Sequence, residues 1–154
     1  MQESWLHDLI EEEKTNRLSS FSQEVDRESA VKDGLSELKS LFQKFITTFN
    51  KIKDPLSGSI HLYKLAHSET GFLIFRRGCR LIFFQPSPEQ IRIQFLKKEE
   101  EKLVTHVDAH IRIFFHNPFS PACWTHEGWP GFVDMDCLAR YYLKMLIYHS
   151  NGPR

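Results

Sequence analysis

The chain has 154 residues and a mass of 18.2 kDa, with 41% hydrophobic and 26% charged residues. This is one ordinary globular domain, 1–154, which excludes collagen-like and disordered readings and allows a core without disulfide or metal staples. Twenty basic residues meet twenty acidic ones, so no global field draws the chain to nucleic acid or to an anionic membrane.

The first residues, Met1-Gln2-Glu3-Ser4-Trp5, have neither a basic n-region nor an apolar h-region, which predicts no signal peptide. No apolar run approaches the roughly 18 residues of a membrane span, so no membrane association is expected. Cys79, Cys123 and Cys137 are odd in number and widely spaced. That predicts free thiols and a cytoplasmic location rather than a disulfide framework.

A helical N-terminal segment, 1–55, is expected to hold two helices. Residues 4–17 form the first, with Trp5, Leu6, Leu9 and Ile10 on one side. Ser20-x-x-Gln23 resembles a capping box that starts the second at about residue 22. In that second helix Val31, Leu35, Leu38, Phe42, Phe45, Phe49 and Ile52 repeat every four and three residues, a heptad seam. Asp54-Pro55 ends it. At 1.5 Å per residue it is about 48 Å long, more than a sheet can cover. Gly34 marks a weak point where a bend is expected.

After Ser57-Gly58-Ser59 the period turns strand-like. Five strands are expected across 58–116, at about 60–66, 72–77, 80–85, 91–97 and 103–115, joined by short turns as an antiparallel meander. Phe72-Leu73-Ile74-Phe75 and Leu81-Ile82-Phe83-Phe84 are apolar on both faces. This predicts cover on both sides, the long helix on one face and the last helix on the other. The fifth strand alternates and keeps one polar face.

Residues 117–133 form a loop rich in proline, glycine and aromatics, too long to be a mere connector. The C-terminal helix, 134–150, starts at an Asp134 cap with a Val133–Leu138 staple and ends at Asn151-Gly152-Pro153. Asp136, Arg140 and Lys144 form its single polar stripe, so it reads as buried nearly all round. The predicted fold is α+β: two N-terminal helices, a five-stranded antiparallel meander and a buried C-terminal helix.

The apolar surface of these elements exceeds what one chain covers, which predicts a homo-oligomer, most simply a homodimer, or a protein partner. The expected function is a non-catalytic protein–protein interaction or assembly module with no cofactor. Its candidate interface residues are Leu35, Leu38 and Phe42 on the long helix, and Leu138, Tyr142, Met145 and Leu146 on the last.

Two other classes have sequence support. His106-x-Asp108-x-His110 places two imidazoles and a carboxylate on one strand face, and with His116 would offer ligands for a divalent transition metal in an enzyme. Cys123-x-x-His126, with Cys137 and His116, is an irregular zinc-type set. Residues 60–98 hold seven bases against two acids, while 1–28 hold eight acids against three bases. Within the basic stretch, Arg76, Arg77, Arg80 and Arg92 lie among phenylalanines, the chemistry of a single-stranded nucleic-acid binder. Against it, those phenylalanines are expected in the core, and the arginines have the acidic N-terminal segment to pair with. No phosphate loop, nucleophile elbow or H-E-x-x-H is present.

Overall fold

The computed structural model describes residues 4–115 and 121–151; at residues 4, 9 and 11–26 the helical backbone is described without the side chain. The chain is α+β, with an antiparallel sheet and a helix at each end. In order it runs α1 (Ser4–Ile52), β1 (His61–Lys64), β2 (Phe72–Arg76), β3 (Cys79–Ser87), β4 (Gln90–Glu99), β5 (Lys102–Phe114), β6 (Cys123–His126), β7 (Phe132–Val133) and α2 (Met135–Ser150). The sheet has seven strands in sequence order, all neighbours antiparallel.

One helix replaces the two expected at the N-terminus. Between Thr15 and Ser22 there is no proline or glycine to force a turn. Serine and asparagine cost an interior helix position only about 0.5 kcal/mol each, less than nucleating a second helix. The helix ends where expected: Asp54 accepts from the Leu56 amide at 2.9 Å ahead of the Pro55 turn. Asn50 then ties the returning chain back, donating to the Ile60 carbonyl and accepting from the Ile60 amide, each at 2.9 Å.

Within α1 the seam becomes Val31, Leu35, Leu38, Phe42 and Ile46, all buried, while Ile52 is exposed. The average spacing lengthens from that of seven-residue repeats toward the period of a straight helix lying on a sheet. The helix runs through Gly34 without a break. A Cβ there would sit 2.5 Å from the Trp124 ring, so the glycine admits the indole of β6 against the helix.

Two-residue turns set the strand register. Arg77 and Gly78 both have positive φ, 46° and 78°, in the β2–β3 turn, the signature of a type I′ hairpin. Glu100 and Glu101 do the same between β4 and β5, at 49° and 68°. The region expected to be a 17-residue loop instead adds β6 and β7 to the sheet edge. These two short strands sit among prolines and glycines that read as a loop, which is why the sequence predicts five strands.

The principal correction concerns layers. Phe72, Ile74, Leu81, Phe83, Ile91, Ile93, Phe95 and Ile111 form one sheet face, and both helices lie on it in a single core. α2 contributes Leu138, Ala139, Tyr142, Leu143 and Leu146. The helices touch side by side, with the Arg140 guanidinium 5.5 Å from the Phe45 ring. The expected helix on the second face is absent, because Arg92, Gln94, Asp108, His110 and Arg112 point there and cannot lie under an apolar helix. Nor is α2 buried all round: Tyr141 and Tyr148 are exposed, with only Met145 and Ile147 half-buried between.

Candidate functional site

Since both helices pack on one side of the sheet, no helix covers the opposite side among the described residues. Among the described residues of that face none is buried. The register gives its composition. One row across the strands reads Tyr63, Leu73, Ile82, Gln94, Asp108. The next reads His61, Phe75, Arg80, Leu96, Thr105. A third holds Phe84, Arg92 and His110. Six apolar side chains, Tyr63, Leu73, Phe75, Ile82, Phe84 and Leu96, therefore form a continuous patch over β1–β4.

A polar belt borders the patch. Arg92 grips Asp108 through two hydrogen bonds, 2.8 Å and 2.6 Å, and stands 5.9 Å from the Phe84 ring centroid. The hydrogen bonds from Arg92 lower the Asp108 pKa below the ordinary carboxylate range. Glu127 accepts from the His110 amide at 3.1 Å and pairs with its Nδ1 at 3.2 Å. Beside them a cavity of about 310 Å³ is lined by His110, Arg112, Thr125, His126 and Glu127. Arg80, Lys98 and Arg112 are exposed cations with no partner among the described residues.

The residues expected at an interface sit elsewhere. Leu35, Leu38, Phe42, Leu138, Tyr142 and Leu146 are all 0% exposed in this chain's own core, and Met145 is half-buried against it. The six fully buried side chains have no surface left to offer a partner. The seam and the apolar side of α2 cover each other and the same sheet face, where the sequence predicts the two helices on opposite faces.

The strand that carries the candidate metal ligands is divided by a β-bulge. Phe95 pairs with Val107 but Leu96 pairs with Thr105, so His106 is the extra residue. Its ring turns to the helix side, packing edge-on to Phe95 and lying 6.0 Å from the His149 ring. Its Nε2 meets Glu99 at 3.0 Å. Asp108 and His110 stay on the open face, so the three do not converge, and His116 lies outside the described residues. Among the described residues no group of three or more potential ligands is close enough to hold a metal ion.

The Cys123-x-x-His126 pair also diverges. His126 faces the core opposite Ile111, whereas Cys123 pairs with Phe114 on the other side. Cys137 is exposed on α2, beside the Asp134 cap that accepts from its amide at 2.7 Å. His126 Nδ1 lies 2.7 Å from the Glu127 carbonyl. A carbonyl only accepts, so Nδ1 carries the proton and Nε2 accepts from the Tyr142 hydroxyl, to which it is closely bonded. Trp129 stacks on the imidazole at 3.8 Å. Burial lowers the His126 pKa and raises that of Tyr142. Neither is thereby primed as a nucleophile: the imidazole's one free nitrogen is already occupied, and the pair locks the aromatic region 121–133 onto α2.

The four candidate arginines have four different roles. Arg76 is buried and hydrogen-bonds the end of α2. Arg77 sits in the hairpin turn and donates to the Leu56 carbonyl at 3.1 Å. Arg92 is held by Asp108. Arg80 lies on the open face. Sequence reasoning missed Leu73, Phe75 and Leu96 as surface residues. The polar outer positions of β4 and β5 carried the signal that this face has no helix.

No helix among the described residues is long and apolar enough to cross a membrane. Compared with protein-family models, curated proteins and solved structures, the chain matches none.

Proposed function

We propose that this chain is a non-catalytic protein–protein interaction module and that its docking surface is the open sheet face. The observation that carries the proposal is the six-residue apolar patch on the side opposite both helices. Such a face is ordinarily covered in a folded domain. Completing the burial of six half-covered side chains contributes on the order of 5 kcal/mol toward association. The belt of Arg92–Asp108 and His110–Glu127 supplies a polar rim and sets orientation.

The composition of the patch favours a protein over a single-stranded nucleic acid. Leu73, Ile82 and Leu96 are aliphatic and offer bases no stacking surface. Arg92 is already neutralised, and the Asp108 carboxylate beside it repels phosphate.

The test is a photo-crosslinking amino acid at position 82, with a control at position 144 on the outer side of α2. A discrete protein adduct at 82, absent at 144 and lost in a Leu96→Arg background, supports the reading. An adduct destroyed by nuclease replaces it with nucleic-acid binding. Equal labelling at both positions overturns it.

A further inference from the structure

We propose that the N-terminal end of α1 from a second copy of this chain occupies the open sheet face, the two copies docking reciprocally as a homodimer. This rests on the docking role of the face argued above and names its occupant.

Three observations fit together. The first is length. α1 has 49 residues, which is about 73 Å of helix. Among its described side chains Trp5 to Asp8 and Ile10 are exposed, and Val31 is the first that is buried. The N-terminal end of the helix, residues 4–26, is about 34 Å long. Four strands at roughly 4.8 Å spacing are less than 20 Å wide, so this end is long enough to cross the patch.

The second is the surface of that helix end. Trp5, Leu6 and Ile10 are 62%, 44% and 42% exposed. At 100° per residue these three fall within about 140° of the helix circumference. In sequence the stretch 4–13 is acidic, with Asp8, Glu11, Glu12 and Glu13 and no lysine or arginine. An acidic helix end with an exposed tryptophan gains apolar burial by docking.

The third is charge. The open face carries exposed Arg80, Lys98 and Arg112. Its acids are already engaged: Asp108 with Arg92 and Glu127 with His110. An apolar centre with unpaired cations at its margin complements a helix end that joins exposed apolar side chains to an acidic sequence. The match is not satisfied within one copy, because α1 is continuous and its packed half lies on the other side of the sheet. A two-fold related copy supplies the same helix end to the same face, closing the contact in both directions.

Sedimentation and native mass measurement of the full chain test the proposal. The wild type is expected as a dimer that weakens with added salt. Arg80→Glu combined with Lys98→Glu changes only exposed side chains and is expected to raise the dimer dissociation constant about 100-fold. Glu11→Lys, Glu12→Lys and Glu13→Lys together are expected to do the same, and joining both sets in one chain to restore the dimer. A wild type that remains monomeric at about 100 µM overturns the proposal. So does a dimer lost with the helix set but unmoved by the face set, which would mean helix pairs with helix. In either case a position-82 crosslink to a different protein leaves the docking face standing; with no such crosslink, both readings fall.

Discussion

Arg76 shows how a residue that looks like a ligand contact becomes a structural clamp. It follows Phe72 and Ile74 in the alternation of β2, so the pleat turns it inward. Its guanidinium donates to the Gly58 carbonyl at 2.9 Å, Ser150 Oγ at 2.7 Å, Asn151 Oδ1 at 2.9 Å and the Ile147 carbonyl at 3.5 Å. The Phe49 ring lies 5.2 Å beneath it. No carboxylate pairs with it among these contacts; the carbonyl end of α2, negative in sense, takes that place. Burial, reinforced by the Arg77 charge, lowers its pKa, but from so high a starting value that it stays charged. Three segments distant in sequence thus meet on one planar fork. Lysine has a single ammonium point and cannot reproduce that spread. Arg76→Lys is expected to lower unfolding free energy by roughly 2–4 kcal/mol in urea titration. A change within about 0.5 kcal/mol would mean the fork is dispensable.

At the scale of elements, the β4–β5 turn departs from its own best chemistry. Glu100 and Glu101 occupy positive φ without being glycine, at a cost of about 1 kcal/mol each. Three carboxylates, Glu99 to Glu101, crowd the tip, and Glu99 alone has the His106 contact to offset them. Glu100→Asn with Glu101→Gly suits the type I′ turn and is expected to stabilise the fold by about 1–2 kcal/mol. If urea titration shows no gain, the turn does not carry the strain argued here. This turn also marks what the sequence made legible. Strands β1 to β5 were readable to within two or three residues, because apolar runs are bracketed by Gly71, Gly78, Pro86, Pro88 and charged tips. β6 and β7 were not, because they sit in a stretch whose prolines and glycines read as a loop. Gly34 was seen but misjudged: a single sequence records a missing side chain, not the indole that needs the space. The candidate site was half legible. The two-faced apolar strands were recognised, yet the side left uncovered depended on how α1 and α2 pair, which is a long-range fact.

For the whole molecule, placing both helices on one side has a consequence for pH. The layer between helices and sheet holds His126 against Tyr142 and Trp129, and His149 packs on Phe95 at the far end of the same layer. Burial lowers the pKa of both imidazoles, and Lys97 and His106 add to the effect at His149. A histidine whose folded pKa lies below its unfolded value, about 6.5, binds fewer protons in the native state. Its contribution to stability is therefore full above about pH 6.5 and is lost as pH falls through the folded pKa. Protonating His126 would also place a second donor against the Tyr142 hydroxyl, which now donates to Nε2. Carboxylates act in a separate window. Asp108, held by Arg92, and Asp134, held by the Cys137 amide, have pKa values lowered from a starting point already near 4. Their contributions are lost only at more acid pH. The melting temperature is therefore expected to fall between about pH 7 and 5, before the carboxylates titrate. Replacing His126 and His149 together by glutamine lowers stability at neutral pH through lost packing but flattens this slope. An unchanged slope in that variant would place the proton uptake elsewhere and remove the buried imidazoles from the account.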